Sequence, residues 1–234
     1  MPAAWRLASR ILLAPGLAGF LAAEAASGQV LTAKGPHPVR LSWPTNLADY
    51  RLETTTNVYW DHVTWPWSWQ TWNVAPSRIG TNFVATNAFP ESARFFRLYN
   101  QRAFCVSDLK QIALSFRIWQ GDNGDRLPFQ VPTNLGGTRE LRAIGAGGFD
   151  ANAFLHFQVM SNELYDPRIL VCPADSTRNA ATNFAGLRAE NVTFQLRTSD
   201  DVQPDAPGVV LAVCPLHGNT LYCDWTVVTG TNSP

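Results

Sequence analysis

The hydrophobic period of this chain changes at Cys105, and that change constrains the fold more than any other feature. Before it, over residues 39–98, apolar side chains come in short runs, VRLSW, YRLETTT, VYWDHV, TNFVATN and ARFFRLY, separated by Pro, Asn, Asp and Gly. Short runs of this kind mark strands, so a small antiparallel sheet or half-sandwich is expected. Val39, Leu41 and Trp43 share one face, while Phe95 and Arg97 oppose Phe96 and Leu98. The last strand is therefore expected to be covered on both sides.

After Cys105 the period is helical: Leu109, Ile112, Ala113, Phe116 and Trp119 form one stripe, with Ser107 or Asp108 expected as the cap and Gly121 as the end. Leu114 and Ile118 add a second stripe, which predicts packing on more than one side. Ala153, Phe157, Met160 and Leu164 predict a second helix, stopped by Pro167. RILVC, VTFQLR, GVVLAVC and LYCDWTVV then read as strands. The expected class is α+β: a small antiparallel β-module over residues 39–100, followed by a helix-plus-antiparallel-sheet domain over residues 103–230.

Of 234 residues 46% are hydrophobic, and 18 basic side chains balance 18 acidic ones. That balance argues against a disordered chain and gives no electropositive footprint, so nucleic acid is not an expected partner. Arg6 and Arg10, the apolar run ILLAPGLAGFLAA and the small-x-small site Ala23-Glu24-Ala25 predict a cleaved export signal over residues 1–25, with residues 26–38 as linker. Pro15, Gly16 and Gly19 interrupt a run shorter than the ~20 apolar residues a membrane helix needs. No transmembrane segment is expected in the mature chain, which would be periplasmic or extracellular.

Four cysteines in an exported chain predict disulfides. A Cys172–Cys214 bond would close a loop of roughly 40 residues, for about 4 kcal/mol of chain entropy. A hairpin centred on Gly218-Asn219 would instead pair Cys214 with Cys223. Zinc on Cys214 and His217 with Cys172 and Cys223 is the competing reading. No C-x-x-C or H-x-x-x-H spacing supports it, so neither a metal nor a cofactor is expected. Asp122-Asn123-Gly124-Asp125 lacks the closing Glu of a calcium loop and reads as a turn.

Several ordered motifs in the second half carry a family resemblance. They are CVSDLKQIALSF over residues 105–116, Trp119, DNGDRLP over residues 122–128, Cys172-Pro173-Ala174-Asp175, and Cys214-Pro215-Leu216-His217-Gly218 with Asp224. Residues 103–229 resemble the type II secretion protein G-like, pseudopilin-type headpiece of planctomycete and verrucomicrobial exported proteins. Residues 39–98, with V-x-L-S-W-P at the start and A-R-F-F-R-L at the end, more loosely resemble fibronectin type III modules. The resemblance implies a non-enzymatic envelope protein acting in assembly or protein interaction, with loops such as residues 135–149 as contact surface. Cell-envelope or secretion-system proteins are the implied partners. True pseudopilins carry a long apolar helix running into the headpiece helix. Here a β-module stands in its place, so filament incorporation is not implied.

Tryptophans crowd residues 60–72, and Trp65, Trp67 and Trp69 share one side of an extended segment. They are either core or a strip for stacking on a glycan, the alternative function. No nucleophile elbow, HExxH, phosphate loop or dinucleotide fingerprint is present, and His37, His62, His156 and His217 are scattered. No catalytic residue is expected, and His156 reads as a packed residue of the second helix.

Overall fold

A computed structural model describes residues 11–13, 21–24, 30–34, 38–47, 49–55, 69–72, 74–87 and 94–231. The chain divides into two compact units, residues 1–100 and 101–234. It combines helices with antiparallel sheets, an α+β fold.

Among the described residues the first unit holds nine strands: β1 (Ile11–Leu13), β2 (Leu21–Glu24), β3 (Val30–Lys34), β4 (Val39–Pro44), β5 (Tyr50–Thr55), β6 (Gln70–Thr71), β7 (Ser77–Ile79), β8 (Asn82–Asn87) and β9 (Arg94–Asn100). They form one sheet of order β1-β9-β5-β6 and another of order β2-β3-β4-β8-β7. In the second sheet Leu41 pairs with Ala85 and Trp43 with Phe83, and in the first Leu52 pairs with Leu98 and Thr54 with Phe96. Alternation sends Leu41, Trp43, Leu47, Leu52, Trp72, Ala85 and Phe96 into one apolar core. VYWDHV lies outside the described residues. So do most of residues 1–25, where an export signal is expected, apart from the residues in β1 and β2.

The second unit opens with α1 (Gln101–Asp122), which follows β9 directly. The helix thus begins six residues before Ser107, and neither Ser107 nor Asp108 caps it. Asp108 sits within the helix, where burial first, then Asp166 and Cys214, push its carboxyl up to about 7. Gly121 is likewise inside the helix. The chain leaves it through Gly124 and Asp125, both in the left-handed region. The expected stripe is the buried one, from Leu109 to Trp119. The second stripe is not packed, since Leu114 and Ile118 are 56% and 44% exposed.

The second helix is broken into α2 (Ala153–Val159) and α3 (Ser161–Leu164), which ends at Tyr165 with φ 62°. Phe157, Met160 and Leu164 still reach the core, and Phe157 meets Phe116 at 6.1 Å between ring centroids. RILVC is not a strand. Pro167 has φ preset for a helical start, and Asp166 accepts from the Arg168 amide, so Pro167–Leu170 forms a 3-10 turn. The sheet runs β10 (Gln195–Leu196), β11 (Val210–Val213), β12 (Thr220–Tyr222), β13 (Val227–Val228) in that order, all antiparallel. Buried Leu211 and Leu221 join the α1 stripe in one core. Among the described residues no helix is long and apolar enough to cross a membrane.

Candidate metal centre

One helix and two loops of the second unit bring Cys105, Cys172, Cys214 and His217 together, with their ligand atoms all within 4.8 Å of one another. None of the four has measurable exposure. Cys105 lies one turn into α1 and faces inward on the same side as Leu109. Cys172 follows the 3-10 turn, its amide held by Thr193 Oγ1 at 3.1 Å. Cys214 and His217 sit on the loop between β11 and β12.

That loop corrects the sequence expectation. Val213 pairs with Thr220, and the Cys214 amide donates to the Asn219 carbonyl at 2.8 Å, so Cys214 faces Asn219 and not Cys223. The Gly218 amide donates back to the Cys214 carbonyl, and Gly218 takes φ 69°, which closes the loop two residues earlier than a Gly218-Asn219 centre would. Neither expected disulfide is formed: all four thiols are free. Cys172 and Cys214 belong to the cluster, whereas Cys223 lies outside it, buried with its amide on the Val209 carbonyl.

The first turn of α1 ties the three pieces together. Gln101 Nε2 donates to the Pro173 carbonyl at 2.8 Å, and Arg102 donates to the carbonyls of His217 at 3.2 Å and Gly230 at 2.6 Å. Gly230 must be glycine, because a β-carbon there would overlap the carbonyls of His217 and Gly218. Its amide donates to Asn219 Oδ1 at 2.9 Å, backing the loop from behind.

Two edges of the cluster lie close to those of a tetrahedral ion. With metal–sulfur bonds of about 2.3 Å and metal–nitrogen bonds of about 2.0 Å, ligand–ligand edges come to about 3.5–3.8 Å. His217 Nδ1 stands 3.3 Å from Cys172 Sγ and 3.8 Å from Cys214 Sγ. Soft thiolates with one imidazole in this arrangement select zinc among the common divalent ions.

The surroundings favour thiolate at Cys214. Hydrogen bonds from Cys105 first, then Cys172, with the amides of Leu216 and His217 assisting, hold the Cys214 thiol far below its usual range against the effect of burial. Cys105, which donates to its neighbours in a buried setting, is held far above it. A hydrogen bond from Cys105 and the Ala174 amide act on Cys172 as Cys105 and the Leu216 amide act on Cys214, but the hydrogen bond to Cys214 and burial push the Cys172 thiol up to about 12. In both Cys-Pro-x turns the proline fixes φ and removes its own N–H, leaving the next amide to serve the sulfur. His217 Nε2 and Asn219 Nδ2 are buried without a hydrogen-bond partner among the described residues.

Sequence reasoning discounted metal for want of a C-x-x-C pair and chose Cys223 as a ligand in place of Cys105. The repetition of Cys-Pro-x, at residues 172–174 and 214–216, is the signal in the sequence, and it was read as a disulfide pair; the second repeat runs on to His217.

A second polar cluster lies in the same unit. His156 Nδ1 is 2.7 Å from Thr138 Oγ1 and Nε2 is 3.0 Å from Asp150 Oδ2, with His156 and the Asp150 side chain both fully buried. Asp150 also accepts from Thr198 Oγ1 at 2.6 Å and from the amides of Ala143 and Asn152. Burial works against the Asp150 carboxylate, but the bonds from His156 and Thr198 outweigh it and hold the carboxyl well below its ordinary value. Thr138 is itself buried, so the group pins loops together and presents no nucleophile to a substrate.

Of the tryptophan strip, Trp65 and Trp67 lie outside the described residues. Trp69 is buried, with the Arg97 guanidinium 4.5 Å from its ring centroid and Arg97 paired to buried Glu53. It is a packed residue and not a surface for stacking on a sugar. His37 and His62 also lie outside the described residues. No protein-family model, curated protein or solved structure matches this chain.

Proposed function

We propose that this chain is an exported, non-enzymatic protein of the cell envelope acting in assembly or protein interaction, and that its second unit is a headpiece stapled by one zinc ion. The observation that carries the metal reading is the closed set of Cys105, Cys172, Cys214 and His217, four buried ligands whose donor atoms all lie within 4.8 Å of one another. Four protein ligands leave no position for water or substrate, which is the mark of a structural and not a catalytic site. The ion would cross-link the start of α1, the Cys172 turn and the β11–β12 loop, which are far apart in sequence. Bound zinc supplies folding free energy here and no reaction chemistry.

The envelope role rests on the pseudopilin-like motifs of the sequence. Exposed Leu135, Leu141 and Ile144, on the turns of residues 133–148, offer apolar contact points on that same unit.

The test is elemental analysis of the full chain purified under reducing conditions. One zinc per chain is expected, falling to none in His217→Ala, and cobalt substitution should give the intense visible bands of a tetrahedral thiolate site. A chain that takes up neither ion overturns the metal reading. Cross-linking in native envelopes tests the role: envelope or secretion proteins should be captured, and fewer by Leu141→Asp with Ile144→Asp. Capture unchanged in that double variant overturns the contact surface.

A further inference from the structure

We infer that the sulfurs of this centre also support a second state that excludes the metal, a Cys172–Cys214 disulfide, so that loading of the centre is gated by thiol oxidation. The inference rests on the zinc reading of the same site.

The geometry argues for that pair. Both sulfurs already belong to a cluster no wider than 4.8 Å, against about 2.05 Å in a disulfide. Cys105 is carried on α1, whose inward face is packed by Leu109, Ile112 and Phe116. Cys172 and Cys214 are carried on Cys-Pro turns, which absorb a shift of this size more readily than a packed helix does. Once they are joined, only Cys105 Sγ and His217 Nδ1 remain, and two donors do not make a tetrahedral site.

The chemistry is thiol–disulfide exchange with an external disulfide RSSR as oxidant. Cys214 thiolate attacks one sulfur of RSSR, forming a mixed disulfide and expelling RS⁻. Cys172 thiolate then attacks Cys214 Sγ, forming the internal bond and expelling the second RS⁻. Two electrons pass from the cysteine pair to the external disulfide, and the two thiol protons end on two RSH.

Burial makes this a fork in folding. Cys105, Cys172 and Cys214 have no exposure in the folded unit, so an external disulfide reaches them only before the cluster closes. Zinc bound first protects the thiols, and oxidation first bars zinc. Cys223 is the internal reference. In an unstructured chain the short 214–223 loop closes more easily than the 172–214 loop, so a bond to Cys172 shows that the mixed disulfide on Cys214 is resolved as folding brings the two Cys-Pro turns together.

The experiment takes the full chain, reduced and unfolded in denaturant, and refolds it in two orders. One portion meets zinc chloride and then oxidised glutathione, and the other meets them in reverse. Zinc is counted after gel filtration, and peptide mapping reads the covalent state whether or not the chain has refolded. The zinc-first portion should keep one zinc and all its thiol hydrogens. The oxidised-first portion should lose the mass of two hydrogens, join Cys172 to Cys214, hold no zinc, and regain zinc on addition of dithiothreitol. Cys223→Ala should behave identically, and Cys105→Ser should form the same bond. A full zinc content after oxidation, or a bond between Cys214 and Cys223, overturns the gate while leaving the zinc reading intact. Failure of the reduced chain to take zinc in either order overturns both.

Discussion

Two buried histidines of the second unit meet the same physical demand in opposite ways. His156 has a protein partner on each ring nitrogen, Thr138 on one side and Asp150 on the other. His217 turns Nδ1 toward sulfurs that bond only weakly, and its Nε2 has no hydrogen-bond partner among the described residues. The first site is complete as the chain folds, whereas in the second Nδ1 stands at ligand distance from two sulfurs and the four donor atoms lie within 4.8 Å of one another, the arrangement of a metal set. The difference separates a structural polar network from a binding site without any appeal to resemblance.

The largest test of that contrast is metal removal. Structural zinc in small domains contributes on the order of 10 kcal/mol, so chelation of the reduced chain should abolish cooperative melting of the second unit. Circular dichroism in the near ultraviolet, which reads fixed aromatic packing around Phe116 and Phe157, checks this, and an unchanged melt would sink the staple. Next in size is Asp150→Asn. It weakens the acceptor shared by His156, Thr198 and two backbone amides and should lower stability by about 1–3 kcal/mol in denaturant titration while zinc content stays the same. Loss of zinc in that variant would mean the two sites are not separate.

Acid should come next. Asp150 and Asp175 both have carboxyls depressed in the fold, Asp175 to about 2, where bonds from Thr193, Thr177 and Arg178 overcome burial. Their contribution is present above the unfolded carboxylate value of about 3.9 and is lost as pH falls through the folded values. Stability should therefore drop steadily below about pH 4, and a flat profile there would contradict the assignment. Gly230→Ala should cost about 1–3 kcal/mol by forcing the His217 loop outward, and it should weaken zinc retention in a chelator competition. The smallest effect belongs to Asp166→Ala, which removes a cap from the Pro167–Leu170 turn for about 1 kcal/mol and leaves zinc untouched.

Much of the scaffold was legible before any coordinates. The α1 stripe appears where its period predicted, because one buried helical face must repeat every three or four residues. The strands of VRLSW and ARFFRLY follow from alternation in the same way. What failed were readings that treated local pattern as sufficient. Leu114 and Ile118 carry helical spacing but face solvent, since spacing says which residues share a face and not what covers it. RILVC has the composition of a strand, yet Pro167 and the Asp166 cap act on the backbone before composition does.

The site was half legible. Cys172, Cys214 and His217 were candidates from the start, drawn together by chemistry. The fourth ligand was misassigned to Cys223, nine residues from Cys214 in the sequence, when it is Cys105 on α1. Cys105 could be read as the start of a helix, but nothing in its neighbours says that the helix points its first buried thiol at two Cys-Pro turns.

The sequence alone determined the elements of this protein, because periodicity, proline and glycine act over a few residues and need no distant partner. It also supplied the ligand types, three soft sulfurs and an imidazole. Only the tertiary structure decided which of four cysteines meet, because that depends on how α1 crosses the sheet and on a hairpin register set two residues from where its glycine suggested. A ligand set is a statement about distances in space, and those distances arise from packing Leu109, Phe116, Phe157 and Leu221 into one core.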